Sequence, residues 1–126
     1  MRSDEYERHD GLALADLLRR GEVSAAELMD CALRLAESRN PPLNALCYMR
    51  GDEALDRART ADLKGQFGAL PFLLKDSGLA STLLPSSVGS RLFSGMTSTI
   101  DATLQTRFLA DGLLPFGRTT VPEFCM

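Results

Sequence analysis

The chain has 126 residues, 44% of them hydrophobic and 25% charged, the size and make-up of one soluble globular domain. Its net charge of -3 comes from 14 basic and 17 acidic side chains that are interspersed, so no basic stripe exists for a phosphate backbone, which argues against nucleic acid as a partner. The opening Met1-Arg2-Ser3-Asp4-Glu5-Tyr6-Glu7 is polar and acidic, which excludes an ordinary secretory signal, and no apolar run is long enough to span a bilayer.

Residues 1–65 carry 10 of the 14 basic and 13 of the 17 acidic groups, a bias expected of solvated helices followed by a more buried second part. Asp10 is placed to start a short helix that turns Leu14, Leu17 and Leu18 inward and ends at Gly21. Ser24-Ala25-Ala26-Glu27 has the capping-box spacing, in which the serine oxygen takes a backbone N–H and the glutamate returns the bond. The helix it opens carries Leu28, Cys31, Ala32 and Leu35 on one face and is predicted to end near Ser38, because Asn40-Pro41-Pro42 interrupts it. A third helix is predicted from Asp52 to Lys64, with Leu55, Ala58 and Ala61 or Asp62 near one face and Gly65 as its stop.

The second part changes period. Ala69 to Leu74 is a short apolar run that suits a buried strand, with Pro71 near its start. A loop of roughly Ser77 to Ile100 follows, then a helix from Asp101 to Asp111 with Leu104 and Phe108 inward and Gly112 closing it, then a second strand from Leu113 to Phe116. Strand, crossover with helix, strand is the pattern of a parallel βαβ unit, so the fold class is α/β. Two short strands cover neither the faces nor the edges of a parallel sheet. With the apolar tip Phe124-Cys125-Met126, this predicts a piece of a larger α/β fold: residues 1–65 as helical lead-in, residues 66–126 as the start of the core, and self-association through the exposed sheet edge.

Cys31, Cys47 and Cys125 are widely spaced and His9 is the only histidine, which argues against a metal site and a disulfide framework and for free thiols in a reducing cytoplasm. A nucleophilic thiolate usually needs a histidine or other cation beside it, and with one histidine, in the N-terminal tail, the sequence shows no candidate partner for a catalytic thiol. There is no G-x-S-x-G elbow, no S-x-x-K at Lys75, no P-loop and no G-x-G-x-x-G. Lys75 follows Pro71-Phe72-Leu73-Leu74 at the end of the first strand, where α/β folds place ligand and catalytic groups. By position it is either a strand-end lysine with its amine in water or a proton acceptor, since desolvating an ammonium favours loss of its proton.

The order of several motifs favours the second. Gly68-Ala69-Leu70-Pro71-Phe72-Leu73-Leu74-Lys75-Asp76, then Gly89-Ser90, Asp101, Leu104 and Gly112, then Gly117-Arg118-Thr119-Thr120-Val121-Pro122-Glu123-Phe124, resembles the opening third of an amidase-signature hydrolase. Asn40-Pro41-Pro42-Leu43-Asn44-Ala45 fits the same opening. The resemblance implies a Ser-cis-Ser-Lys mechanism in which Lys75 accepts a proton from one serine, which activates a second to attack a carboxamide carbonyl. It implies a small-molecule amide substrate and no cofactor. Thr120 departs from the family's usual asparagine, and the glycine-rich segment that carries the serines is absent. Ser86-Ser87 lies on the wrong side of the Pro-Glu-Phe motif for that role and reads as loop polarity. Asp76 either orients Lys75 or caps a loop, Arg118 reads as an anchor or a surface charge, and Glu123 as fixing a turn. The alternative is a non-catalytic remnant that serves as an interaction module.

Overall fold

A computed structural model describes residues 1–126. Its helices are α1 (Ser3–Tyr6), α2 (Gly11–Arg19), α3 (Ala25–Leu43), α4 (Gly51–Arg59) and α5 (Thr103–Ala110), and its strands are β1 (Leu46–Met49), β2 (Pro71–Lys75) and β3 (Leu114–Thr119). The sheet order is β1-β3-β2, with β2 parallel and β1 antiparallel to β3. The α/β class and the parallel pair joined through α5 are as expected; the antiparallel β1 makes the sheet mixed.

Local chemistry sets the helix starts. The Asp10 carboxylate accepts from the Ala13 N–H at 2.9 Å. Ser24 Oγ accepts from the Glu27 N–H at 3.2 Å while the Glu27 carboxylate accepts from the Ser24 N–H at 2.9 Å, the reciprocal box its spacing predicts.

Several boundaries and one helix face differ from expectation, and β3 runs past Phe116 to Thr119. Helix α3 does not stop near Ser38: it runs on to Leu43 with Pro41 and Pro42 inside its last turn. The prolines remove two N–H donors there, and Asn40 compensates by donating to the Leu46 carbonyl at 3.1 Å and accepting from the Leu46 N–H at 2.8 Å. Helix α4 ends at Arg59, so Gly65 is not its stop. Gly65 instead takes φ +87 where a Cβ would meet the Asp111 carbonyl oxygen at 2.4 Å, a close approach that only glycine allows. In α5 the inward face is rotated: Gln105 is buried and Leu104 is exposed, while Phe108 keeps its inward role in an edge contact with Phe72 at 5.1 Å.

The apolar core also lies elsewhere than the charge bias suggests. Leu14, Leu18, Leu28, Met29, Ala32, Ala54 and Ala58 from the first part pack with Ala69, Leu70, Leu113 and Phe116. Charged residues on these helices face water, while their apolar stripes supply most of the core. Ala69 and Leu70 precede β2 and Leu113 precedes β3, so this core supports the starting ends of the parallel strands. Their carboxyl ends are left for polar groups.

Candidate functional site

At the end of β2 the side chains change from aliphatic to ionic. Leu74 is fully buried, Lys75 is exposed and Asp76 is buried again, the alternation of an extended chain. The backbone is held by β3: Lys75 lies in register with Thr119, and the Asp76 N–H donates to the Thr119 carbonyl at 3.1 Å. The two lysines of the chain differ. Lys64 is ion-paired with Asp62 at 2.7 Å, whereas the exposed Lys75 amine has no carboxylate or hydrogen-bonding partner.

Asp76 is not that partner, because its carboxylate is engaged inside the fold. It accepts from the Ser87 N–H at 2.9 Å, from the Ser87 hydroxyl at 2.5 Å and from the Gly89 N–H at 3.3 Å. Burial alone would raise its pKa, but the bonds from Ser87, with those from Gly89 and Ser86, hold the carboxyl below the usual range. Between the two N–H donors, Val88 sits at φ 53, a strained conformation for a β-branched residue. Its carbonyl accepts from the Phe124 N–H at 2.9 Å. At Gly89 a Cβ would meet the Val121 carbonyl oxygen at 2.6 Å. The adjoining Ser90 is buried and donates to Glu123 at 2.7 Å. The Asp76 side chain thus caps a loop that is fastened in turn to the segment after β3.

Arg118 is a buried anchor. It has no exposed surface, and its guanidinium donates to three carbonyls, from Nε to Pro85 at 2.8 Å, from Nη1 to Lys75 at 2.9 Å and from Nη2 to Leu84 at 3.1 Å. Burial pulls its pKa down, and the nearby Asp76 charge works against that pull. At the departure from the family pattern, the Thr120 hydroxyl donates to the Asn44 carbonyl at 3.0 Å and its N–H to the Ala45 carbonyl at 2.8 Å.

Beside Asp76 lie two small hollows of about 140 and 250 Å³, which share Cys47, Asp76, Ser87 and Ser94. The Cys47 thiol donates to the Arg118 carbonyl at 3.6 Å; partial burial and the Asp76 charge push its pKa up, the reverse of what a nucleophilic thiolate needs. A larger apolar groove of about 790 Å³ lies between α3 and the sheet, lined by Leu35, Leu43, Phe72 and Phe116 among others, and reaches neither Lys75 nor Asp76.

Lys75, Asp76, Arg118 and Glu123 therefore lie at one end of the sheet: Asp76 and Arg118 are buried and bonded, Glu123 accepts from Ser90, and the Lys75 amine alone of the four makes no hydrogen bond or ion pair. Ser87 and Ser90 were not legible as parts of this cluster: they stand in a serine-rich loop with no spacing that marks a partner. The residues His, Cys, Asp and Glu nowhere gather in a group suited to a metal ion, and no helix is long and apolar enough to cross a membrane.

Comparison with known proteins shows the family. The family model described as Amidase matches residues 27–126. A putative amidase, AmiC, of Mycobacterium bovis is 34% identical over 118 residues, covering 91% of this chain and 24% of the relative. A glutamyl-tRNA(Gln) amidotransferase subunit of Salinispora arenicola is 32% identical over 120 residues, covering 90% of this chain and 24% of that relative. Among solved structures, 6-aminohexanoate cyclic dimer hydrolase complexed with substrate superposes with a TM-score of 0.84 at 30% identity, covering 92% of this chain and 24% of that enzyme. The chain spans about a quarter of the length of these relatives.

Proposed function

The chain belongs to the amidase family, and from that membership we propose that it supplies Lys75 as the proton acceptor of a centre that hydrolyses carboxamide C–N bonds. The two serines of the Ser-cis-Ser-Lys mechanism come, in this proposal, from polypeptide beyond the quarter of the family's length that these 126 residues span. The observation that carries it is the contrast at the end of β2: Asp76 is consumed by the loop it caps, while the neighbouring Lys75 amine is exposed and unpartnered at the carboxyl end of a parallel strand.

Lys75, unprotonated, takes a proton from the intermediary serine, which takes one from the nucleophilic serine. That oxygen attacks the amide carbonyl, and backbone N–H groups hold the oxyanion. The leaving amine departs with a proton returned along the same relay, and water then releases the acid. Covering Lys75 with further polypeptide would desolvate its amine and suit it to this exchange. The substrate is a small-molecule linear or cyclic amide. Three cysteines without disulfides support a cytoplasmic setting.

The test is Lys75→Ala in the polypeptide as its source makes it. Loss of the general base is expected to lower kcat by about 100-fold to 10,000-fold, with thermal unfolding little changed because the amine makes no hydrogen bond or ion pair with the rest of this chain. Retained turnover would remove Lys75 from the mechanism.

A further inference from the structure

We propose that Arg118 is a positioning residue for Lys75, acting through the backbone from which the lysine projects; the proposal rests on the amidase reading above. Arg118 pairs in register with Leu74, a fully buried aliphatic residue, and packing alone would be met there by another aliphatic side chain. A guanidinium is far costlier to bury, and this one is buried without a carboxylate in ion-pairing distance. What it gains is three carbonyls from separate places: Leu84 and Pro85 in the crossover loop and Lys75 itself.

The last of these connects the arginine to the chemistry. Within these 126 residues β3 is the strand neighbour of β2, and its ladder runs as far as Lys75. The Arg118 fork adds a bond to the Lys75 carbonyl and ties that carbonyl to the loop at Leu84 and Pro85. The planar, always charged guanidinium suits this task, with donors in a fixed geometry. Displacement of the Lys75 backbone moves the amine with it, and a misplacement of about 1 Å at a reacting group costs on the order of 100-fold in rate.

The experiment compares the parent polypeptide, as its source makes it, with Arg118→Met and Arg118→Lys. Hydrolysis of 4-nitroacetanilide, benzamide and glutamine is followed beside thermal unfolding. Arg118→Met keeps an apolar stem and no donor. It is expected to lower kcat by about 100-fold on whichever probe the parent turns over, with KM within about threefold. Arg118→Lys, which keeps the charge and reaches fewer carbonyls at once, is expected to restore about tenfold of that loss. Parental kcat in Arg118→Met, a rise in KM at unchanged kcat, or a loss that only tracks the unfolded fraction overturns the positioning role while leaving the amidase reading intact. A parent silent on all three probes, with Lys75→Ala equally silent, overturns both. Should Arg118→Met fail to fold, Arg118→Lys decides: a kcat about tenfold below the parent at unchanged KM supports the proposal, and parental kcat refutes it.

Discussion

Asp76 is the residue whose ionisation holds the loop from Ser87 to Ser90 against the end of β2. Its carboxyl, ordinarily titrating at 3.8, is depressed in the fold, so the stability it contributes is complete above that ordinary value and is lost as pH falls through the lower, folded one. Asp76→Asn removes the charge and turns an amide donor toward Ser87 and Gly89, whose groups are themselves donors; the expected cost at neutral pH is about 1–3 kcal/mol. Thermal unfolding of parent and variant across pH checks this: the gap between them should be widest at neutral pH and narrow below about pH 4. A gap constant down to pH 2 would mean that Asp76 acts through shape alone. Lys75 was legible at this scale because an apolar run ending in a single cation marks a strand end. The hydrogen-bonding partner of its neighbour was not, since Ser87 meets Asp76 across a loop whose φ values, 53 at Val88 and +69 at Gly89, have no signature in a run of serines.

At the scale of elements, what is fixed within one helical turn could be read and what depends on distant partners could not. The Asp10 and Ser24 caps bond to residues three positions on, and both helix starts were legible. Ser24→Ala is expected to cost about 1 kcal/mol and to lower the unfolding midpoint, with Ser24→Asp recovering most of it; an unchanged midpoint in Ser24→Ala would show that packing of Leu28 and Met29 alone fixes the start of α3. Strand β1 gave no warning. Its four residues, Leu46-Cys47-Tyr48-Met49, form a strand because they pair with Gly117, Arg118 and Thr119, far along the chain. The same distance explains the overrun of α3 through Pro41 and Pro42, where a local rule yields to the Asn40 clasp on Leu46. Leu104 and Gln105 exchanged places for the related reason that α5 has too few apolar residues to fix its phase before tertiary contacts do.

The whole molecule presents a three-stranded sheet with β1 and β2 at its edges, an apolar groove of about 790 Å³ and exposed Leu43, Leu92, Ile100 and Met126. Unpaired edges and open apolar surface favour association between copies. The 126-residue chain on its own is expected to sediment as concentration-dependent oligomers, and a monomer at every concentration with a single cooperative unfolding transition would refute this. The fold class was legible because a strand, a crossover with a helix and a second strand allow few arrangements; the core was not, because charge density describes the outer faces of helices and says little about their inner ones. The Arg118 fork has one further consequence, for the order of assembly. It joins Lys75 to a residue 43 positions later and Pro85 to one 33 positions later. Contacts that close such long loops form late in folding. During synthesis, the end of β2 therefore stays unset until β3 has been made and has docked, so the setting of Lys75 waits on a residue made 43 positions after it.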